Sequence, residues 1–158
     1  MASEFLFKKV GEVLAFEQTG LAALEQSADL LRDSILKDRY NFIVAEANSR
    51  IETLREVAAD LGGLDAMEAK AEKTGAKLTK LREIYLTEPD DFADVLEWLG
   101  IHEGGAITHW ILIEGEASHG PDILQRLAVN GVADHERDFR LYTGALRMLG
   151  EEDQHGEE

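Results

Sequence analysis

Two glutamates interrupt apolar helical stripes, and this makes them the first candidates for chemistry in the sequence. Glu103 lies in a stripe of apolar residues that recur every three to four positions between residues 92 and 113. Glu17 interrupts a similar stripe between residues 10 and 31, and it precedes Glu103 by 86 positions. An unpaired charge that faces a protein core is strongly unfavourable. Each carboxylate is therefore expected to pair with a metal ion, with a basic side chain or with a shared proton.

Two basic residues also lie on apolar stripes. Arg50 falls on the stripe of residues 43–61, and His135 falls on the stripe of residues 124–149. These two residues are 85 positions apart, one fewer than the two glutamates. Each half of the chain thus offers one inward carboxylate and one inward basic residue, which indicates an internal duplication. In the alternative interpretation, the helices are rotated slightly and both carboxylates reach solvent at the edges of a bundle.

The composition restricts the class of protein and its partners. The chain has 158 residues, a formal net charge of −16 and no cysteine. Such a charge disfavours nucleic acid and anionic membranes as partners. The lack of cysteine excludes disulfides, iron–sulfur clusters and cysteine-ligated metals. Charged residues interrupt every apolar run, so no membrane span or signal peptide is predicted, and a soluble cytoplasmic protein is expected.

Helical periodicity and stop signals divide the chain into four long helices and one lesser helix. The long helices are expected over residues 4–32, 34–61, 91–118 and 121–149. Gly62 and Gly63 end the second of them, and a lysine-rich helix over residues 66–85 leads to the third. The predicted fold is all-α, an antiparallel four-helix bundle with this helical crossover, in one domain over residues 1–149. The acidic segment 150–158 lacks apolar residues and is expected to be a disordered tail.

Aromatic and histidine residues add a few further expectations. Trp110, Phe139 and Tyr142 lie on apolar stripes and are predicted to be core residues. His102 and His109 lie seven positions apart on one helix face. They are expected to be exposed, with a surface metal site as the alternative.

The helix plan and four short segments resemble the ferritin-like superfamily, particularly its rubrerythrin-related branch, over residues 5–149. The segments are 17–20 (EQTG), 45–54 (AEANSRIETL), 102–107 (HEGGAI) and 132–136 (VADHE). The resemblance implies a bundle in which two helices each supply a Glu and the other two each supply a Glu-x-x-His, so that two metal ions are bound. It implies iron, or else manganese or zinc, as the cofactor.

Three of the six ligand positions of that family are matched directly. The resemblance places metal ligands at Glu17, Glu103 and His135. Val132 stands where the family has the Glu of the fourth-helix motif.

The second helix can be aligned with the family in two registers. One register places Glu46 and Ser49 at the Glu-x-x-His positions, and the metal set is then Glu17, Glu46, Glu103 and His135. The other register places Ala47 and Arg50 there, and the result is a buried ion-pair cluster of Glu17, Arg50, Glu103 and His135. A guanidinium stays protonated and cannot ligate a cation. The direction of the Arg50 side chain therefore discriminates between the two interpretations.

Three functions are open from the sequence. The first is a rubrerythrin- or ferritin-like metal protein that acts in iron handling or in peroxide or oxygen reduction. The second is a metal-free bundle with a structural or partner-binding role, as a homodimer. The third is a small-molecule binder that uses the polar centre as its pocket. A redox role would need an external electron donor, because no cysteine is present to hold rubredoxin-type iron, and no catalytic residue is assigned.

Overall fold

The computed structural model describes residues 2–86 and 91–155. These residues form six helices and no strand: α1 (Glu4–Gln26), α2 (Ala28–Arg32), α3 (Lys37–Asp60), α4 (Leu64–Tyr85), α5 (Phe92–Ala117) and α6 (Asp122–His155). The prediction of an all-α protein is confirmed. The loop expected around residues 87–90 and the end of the expected tail, residues 156–158, lie outside the described residues. Among the described residues, no helix is both long enough and apolar enough to cross a membrane.

Local sequence signals fix several helix ends. The Ser3 hydroxyl oxygen accepts a hydrogen bond from the Leu6 amide at 3.1 Å and so caps α1. Asp91 caps α5 in the same way, through the Asp94 amide at 2.8 Å. Gly62 adopts φ +76° after α3, a left-handed conformation that glycine tolerates without a steric penalty. The glycine pair therefore ends the second long helix where the sequence predicted.

The expected first helix over residues 4–32 is interrupted. Ser27, with φ −104° and ψ 16°, separates α1 from α2. The next helix begins at Lys37 rather than at residue 34, because Ser34 forms a local turn instead of a helix cap. Its hydroxyl donates to the Leu31 carbonyl at 2.6 Å and accepts from the Leu36 amide at 3.0 Å. Serine side chains compete with helical backbone bonding in this way.

The last helix is longer than the sequence indicated. We expected it to end at Leu149, with a disordered tail from Gly150, but α6 continues to His155. Gly150 is helical, since Gly62 has the only positive φ among the described residues. A glycine lowers helix stability by about 1 kcal/mol but does not by itself end a helix.

Helix α4, which connects α3 to α5, packs more closely against the other helices than the sequence predicted for a lesser crossover helix. Met67 and Ala71 of α4 are fully buried against α1. A Cβ atom added to Gly11 would lie 2.4 Å from the Met67 carbonyl oxygen, so the two backbones are nearly in contact. The other large contacts are those of α5 with α6, and of α1 with α3 and α5.

The apolar core consists of two clusters. The first includes Leu14, Leu54 and Trp110, and the second includes Leu24, Leu96 and Tyr142. Along α1, the first cluster ends at Ala15 and the second begins at Ala23, with buried Glu17 between them. Buried polar residues interrupt α3, α5 and α6 at the same level. The fold therefore contains one polar layer between two apolar halves.

Candidate functional site

The polar layer brings together four residues that the sequence singled out, each from a different helix. Glu17, Arg50, Glu103 and His135 are 2%, 7%, 6% and 3% exposed. These values show that both carboxylates face the interior, and not solvent at the edge of the molecule. Buried charges at this depth require partners, and the contacts of each residue identify them.

Glu17 lies at the centre of the layer and uses both carboxylate oxygens. Oε2 accepts a hydrogen bond from Arg50 Nε at 2.9 Å. Oε1 accepts from His135 Nε2 at 2.5 Å and from Trp110 Nε1 at 3.0 Å. Burial alone would raise the pKa of Glu17, but the charges of His135 and Arg50 outweigh it and lower the pKa to about 2. Glu17 is therefore ionised throughout the neutral range.

His135 bridges the two glutamates through its two ring nitrogens. Nε2 donates to Glu17, and Nδ1 donates to Glu103 Oε2. An imidazole that donates from both nitrogens is an imidazolium cation. Burial lowers the pKa of His135, but the two carboxylates outweigh burial and raise the pKa to about 10. With Arg50, the four central residues then comprise two cations and two anions.

Helix α3, which corresponds to the second long helix of the sequence prediction, has the register in which Ala47 and Arg50 face the interior. Arg50 also donates from Nη1 to Asp134 Oδ2 at 3.3 Å. Glu46 does not reach the centre, contrary to the metal set that included it. Its carboxylate accepts instead from Arg137, with the Nη1 to Oε1 distance 3.3 Å. Glu46 lies one residue from the inward face of α3, so its side chain emerges toward α6 at the edge of the layer.

Two further members of the layer were missed by the sequence reasoning. Asp138 is 1% exposed, and its Oδ1 accepts from Arg137 Nε at 3.0 Å. Burial, and then the charge of Glu103, raise the pKa of Asp138 to about 6. A signal for Asp138 was present, because it lies three residues after His135 and so on the same helix face.

His102 is the second missed member, and the expectation that it is exposed is wrong. Its ring is buried, and Nε2 donates to the Phe16 carbonyl at 2.7 Å. Gly20 makes this approach feasible, since an added Cβ there would lie 2.8 Å from His102 Nε2. Burial lowers the pKa of His102. By contrast, His109 remains partly exposed and bonds the Gly105 carbonyl of its own helix.

The donor set does not fit a dimetal centre of the ferritin-like type. The described residues contain no group of three or more His, Asp or Glu side chains placed to hold a metal ion. Both ring nitrogens of His135 are in contact with carboxylate oxygens, Nδ1 with Glu103 and Nε2 with Glu17, so neither is directed at an open metal position. Arg50 places a permanent positive charge on Glu17. The fourth-helix Glu position is Val132, and Glu46 is paired with Arg137.

A second feature lies on the surface between α5 and α6. A groove of about 380 Å³ is lined largely by apolar side chains of these helices and by the end of α4. Tyr85, Ile101 and Phe139 line it and are 40%, 51% and 38% exposed. The prediction that Phe139 is a core residue is therefore wrong. The inward face of α6 passes through His135, Asp138 and Tyr142, which leaves Phe139 at the edge of that face.

Comparisons with protein-family models, with curated proteins and with solved structures find no match to this chain. The polar layer and the groove are therefore the two features of the chain that bear on its function.

Proposed function

We propose that this chain is a metal-free, ferritin-like helical bundle that acts as an interaction protein. The observation that carries the proposal is the position of Arg50, whose guanidinium is bonded to the central carboxylate Glu17. Arg50 and His135 supply the two positive charges that metal ions would supply to the two glutamates. The carboxylates are thereby neutralised without a metal.

The polar layer has a structural role in this proposal. Each of its four central residues comes from a different helix, and each is paired across helices. A helix that slid by one turn would leave a buried charge opposite an apolar residue, and an unpaired buried charge costs about 3–5 kcal/mol. The layer therefore favours one register of the bundle, as a buried polar residue does in coiled coils.

The interaction role is supported by the groove between α5 and α6. Its lining includes the exposed aromatic and aliphatic side chains of Tyr85, Ile101 and Phe139, which offer an apolar contact site to a partner. The polar layer holds the two helices on either side of it, through the bond from His135 to Glu103. The layer thus fixes the shape of the surface that a partner would contact.

The test of the metal-free assignment is elemental analysis of protein that has been loaded anaerobically with ferrous iron and then desalted. The wild type and Glu103→Gln are both expected to hold no iron above the buffer blank. A triple variant with Ala47→Glu, Arg50→His and Val132→Glu restores the three missing donors and serves as the positive control. Stoichiometric iron in the wild type that is lost in Glu103→Gln would overturn the proposal and favour iron handling or peroxide reduction.

A further inference from the structure

A small cavity lies within the polar layer, between α1, α3, α5 and α6. Its volume is about 10 Å³. A cavity of that size has room for about one water molecule, whereas sites for drug-sized molecules measure about 300–1,000 Å³. The polar side chains that line it are all more than nine-tenths buried: Glu17, Arg50, His102, Glu103, His135 and Asp138. An occupant of this cavity is therefore as small as water and is surrounded by buried polar groups.

Asp138 brings to this cavity a carboxylate oxygen that has no partner in the protein. Its Oδ1 accepts from Arg137, with 3.0 Å to Nε and 2.9 Å to Nη2. Its Oδ2 is buried and has no hydrogen-bond partner among the described residues. Nearly all buried polar atoms in folded proteins have at least one partner, which is either a protein group or an ordered water. The Asp138 carboxylate therefore needs a donor from outside the chain.

Glu103 and Arg50 complete the set of unused polar atoms around the cavity. Glu103 bonds His135 through Oε2, and its Oε1 forms no hydrogen bond within the described part of the chain. The charge of Glu103 raises the pKa of Asp138, which places the two carboxylates near each other. Two ionised carboxylates are both acceptors, so neither can satisfy the other. Arg50 uses Nε and Nη1 for Glu17 and Asp134, which leaves the Nη2 protons available as donors.

We infer that the cavity binds one water molecule, which donates to Asp138 Oδ2 and Glu103 Oε1 and accepts from Arg50 Nη2. Three hydrogen bonds are typical of a buried water. A small anion is disfavoured, because it would lie between two carboxylates. The inference goes beyond the proposed function, since it makes a bound water a structural member of the polar layer. It also explains how Asp138 can be buried beside Glu103.

A second internal cavity of the same volume, about 10 Å³, provides a comparison. It lies in the second apolar cluster and its surface is apolar. Tyr142 contributes to its lining and is 1% exposed, like Asp138 one turn earlier on α6. A buried water needs two to four polar partners. We therefore expect no ordered water in this second cavity, although its size would admit one.

Oxygen-17 magnetic relaxation dispersion tests the inference, because it counts the water molecules that remain bound for longer than the protein takes to tumble. At about pH 8, where Asp138 is ionised, the wild type should hold one more such water than Asp138→Leu. Asp138→Asn keeps a side-chain oxygen acceptor and should retain the water. Tyr142→Phe is the matched control, since it removes an equally buried polar group at the second cavity. It should leave the count unchanged. Circular dichroism confirms that each variant remains helical.

Equal water counts in the wild type and Asp138→Leu would overturn the inference, and so would a water that is lost in Tyr142→Phe. If Asp138→Leu does not fold, a high-resolution crystal structure of the wild type decides: a water within about 3.2 Å of Asp138 Oδ2 is expected, and clear density without one would overturn the inference. Loss of the water in ammonium chloride but not in sodium chloride would assign the site to ammonium instead. Iron content is measured separately, so the metal-free assignment and the water site can fail independently.

Discussion

Replacing Arg50 with leucine would remove a buried positive charge from Glu17 while keeping most of the apolar volume of the side chain. The Glu17 side chain is 1% exposed and the Arg50 side chain is 9% exposed. Breaking a buried ion pair by removing one partner typically costs about 3–5 kcal/mol. Glu17 keeps its bonds from His135 and Trp110 in the variant. We therefore expect a loss near the lower limit, about 3 kcal/mol.

A matched control is present in the same helix. Arg55 forms a 2.8 Å bond to Glu68, but the two side chains are 45% and 40% exposed. Exposed pairs contribute about 0–1 kcal/mol, so Arg55→Leu should change the free energy of unfolding by no more than about 1 kcal/mol. The two variants remove the same chemical group at nearly the same bond length. They differ in the burial of the pair.

Urea unfolding followed by circular dichroism measures the difference. A shift of the urea midpoint without a change in the slope of unfolding free energy against urea concentration reports a change in stability alone. A double-mutant cycle with Glu17→Gln then isolates the coupling between Arg50 and Glu17, which for contacting residues reaches about 0.5–3 kcal/mol. If Arg50→Leu and Arg55→Leu destabilise the protein equally, the reasoning from burial is refuted. A coupling of zero would refute the assigned pairing.

Three further predictions follow from pKa shifts and from packing. His135 has a pKa raised from 6.5 to about 10, so its contribution to the free energy of unfolding is complete below about pH 6.5 and is lost as pH rises toward 10. The midpoint of urea unfolding should therefore fall over this range in the wild type and fall less in His135→Gln. An equal fall in both proteins would contradict the assignment. Asp138 has a pKa raised from 3.8 to about 6, so its protonated form stabilises the fold at low pH and this stabilisation is lost as pH rises from about 4 through 6. Relative to the wild type, the free energy of unfolding of Asp138→Asn should rise by about 1–3 kcal/mol across that range. A difference between the two proteins that does not change with pH would argue against a buried acid. Gly105→Ala would place a Cβ atom 2.6 Å from Phe16 and should lower the stability of the protein by about 1–3 kcal/mol. At Gly75 an added Cβ meets nothing within 4 Å, so Gly75→Ala should stabilise the helix by about 0.5–1 kcal/mol. Melting temperatures that shift in the same direction in both variants would contradict the packing.

The sequence located the central residues of the polar layer because helical periodicity determines which face of a helix a residue occupies. Glu17, Arg50, Glu103 and His135 interrupt apolar stripes, and all four are buried. Periodicity does not determine which partner each residue meets on another helix. The choice between Glu46 and Arg50 depended on a rotation of α3 by one residue, which is within the error of any sequence alignment of helices.

Other features depended on contacts that no single-helix pattern contains. The expectation of a lesser crossover helix was based on weak amphipathicity, yet α4 packs tightly because Gly11 allows its backbone to approach α1. His102 is buried because Gly20 on another helix leaves room for its ring. Helix α6 continues through Gly150 because the backbone stays helical there, whereas Gly62 turns left-handed after α3.

Whether His135 is a cation held between two carboxylates is tested most directly by ¹⁵N NMR of its two ring nitrogens. At about pH 8, an unperturbed imidazole is neutral and keeps one unprotonated nitrogen. The structure predicts that both Nδ1 and Nε2 of His135 are protonated at that pH, with shifts that change when Glu17 or Glu103 is replaced by glutamine. One unprotonated ring nitrogen at about pH 8 would mean a neutral His135 with a lone pair available to a metal ion, and it would contradict the account.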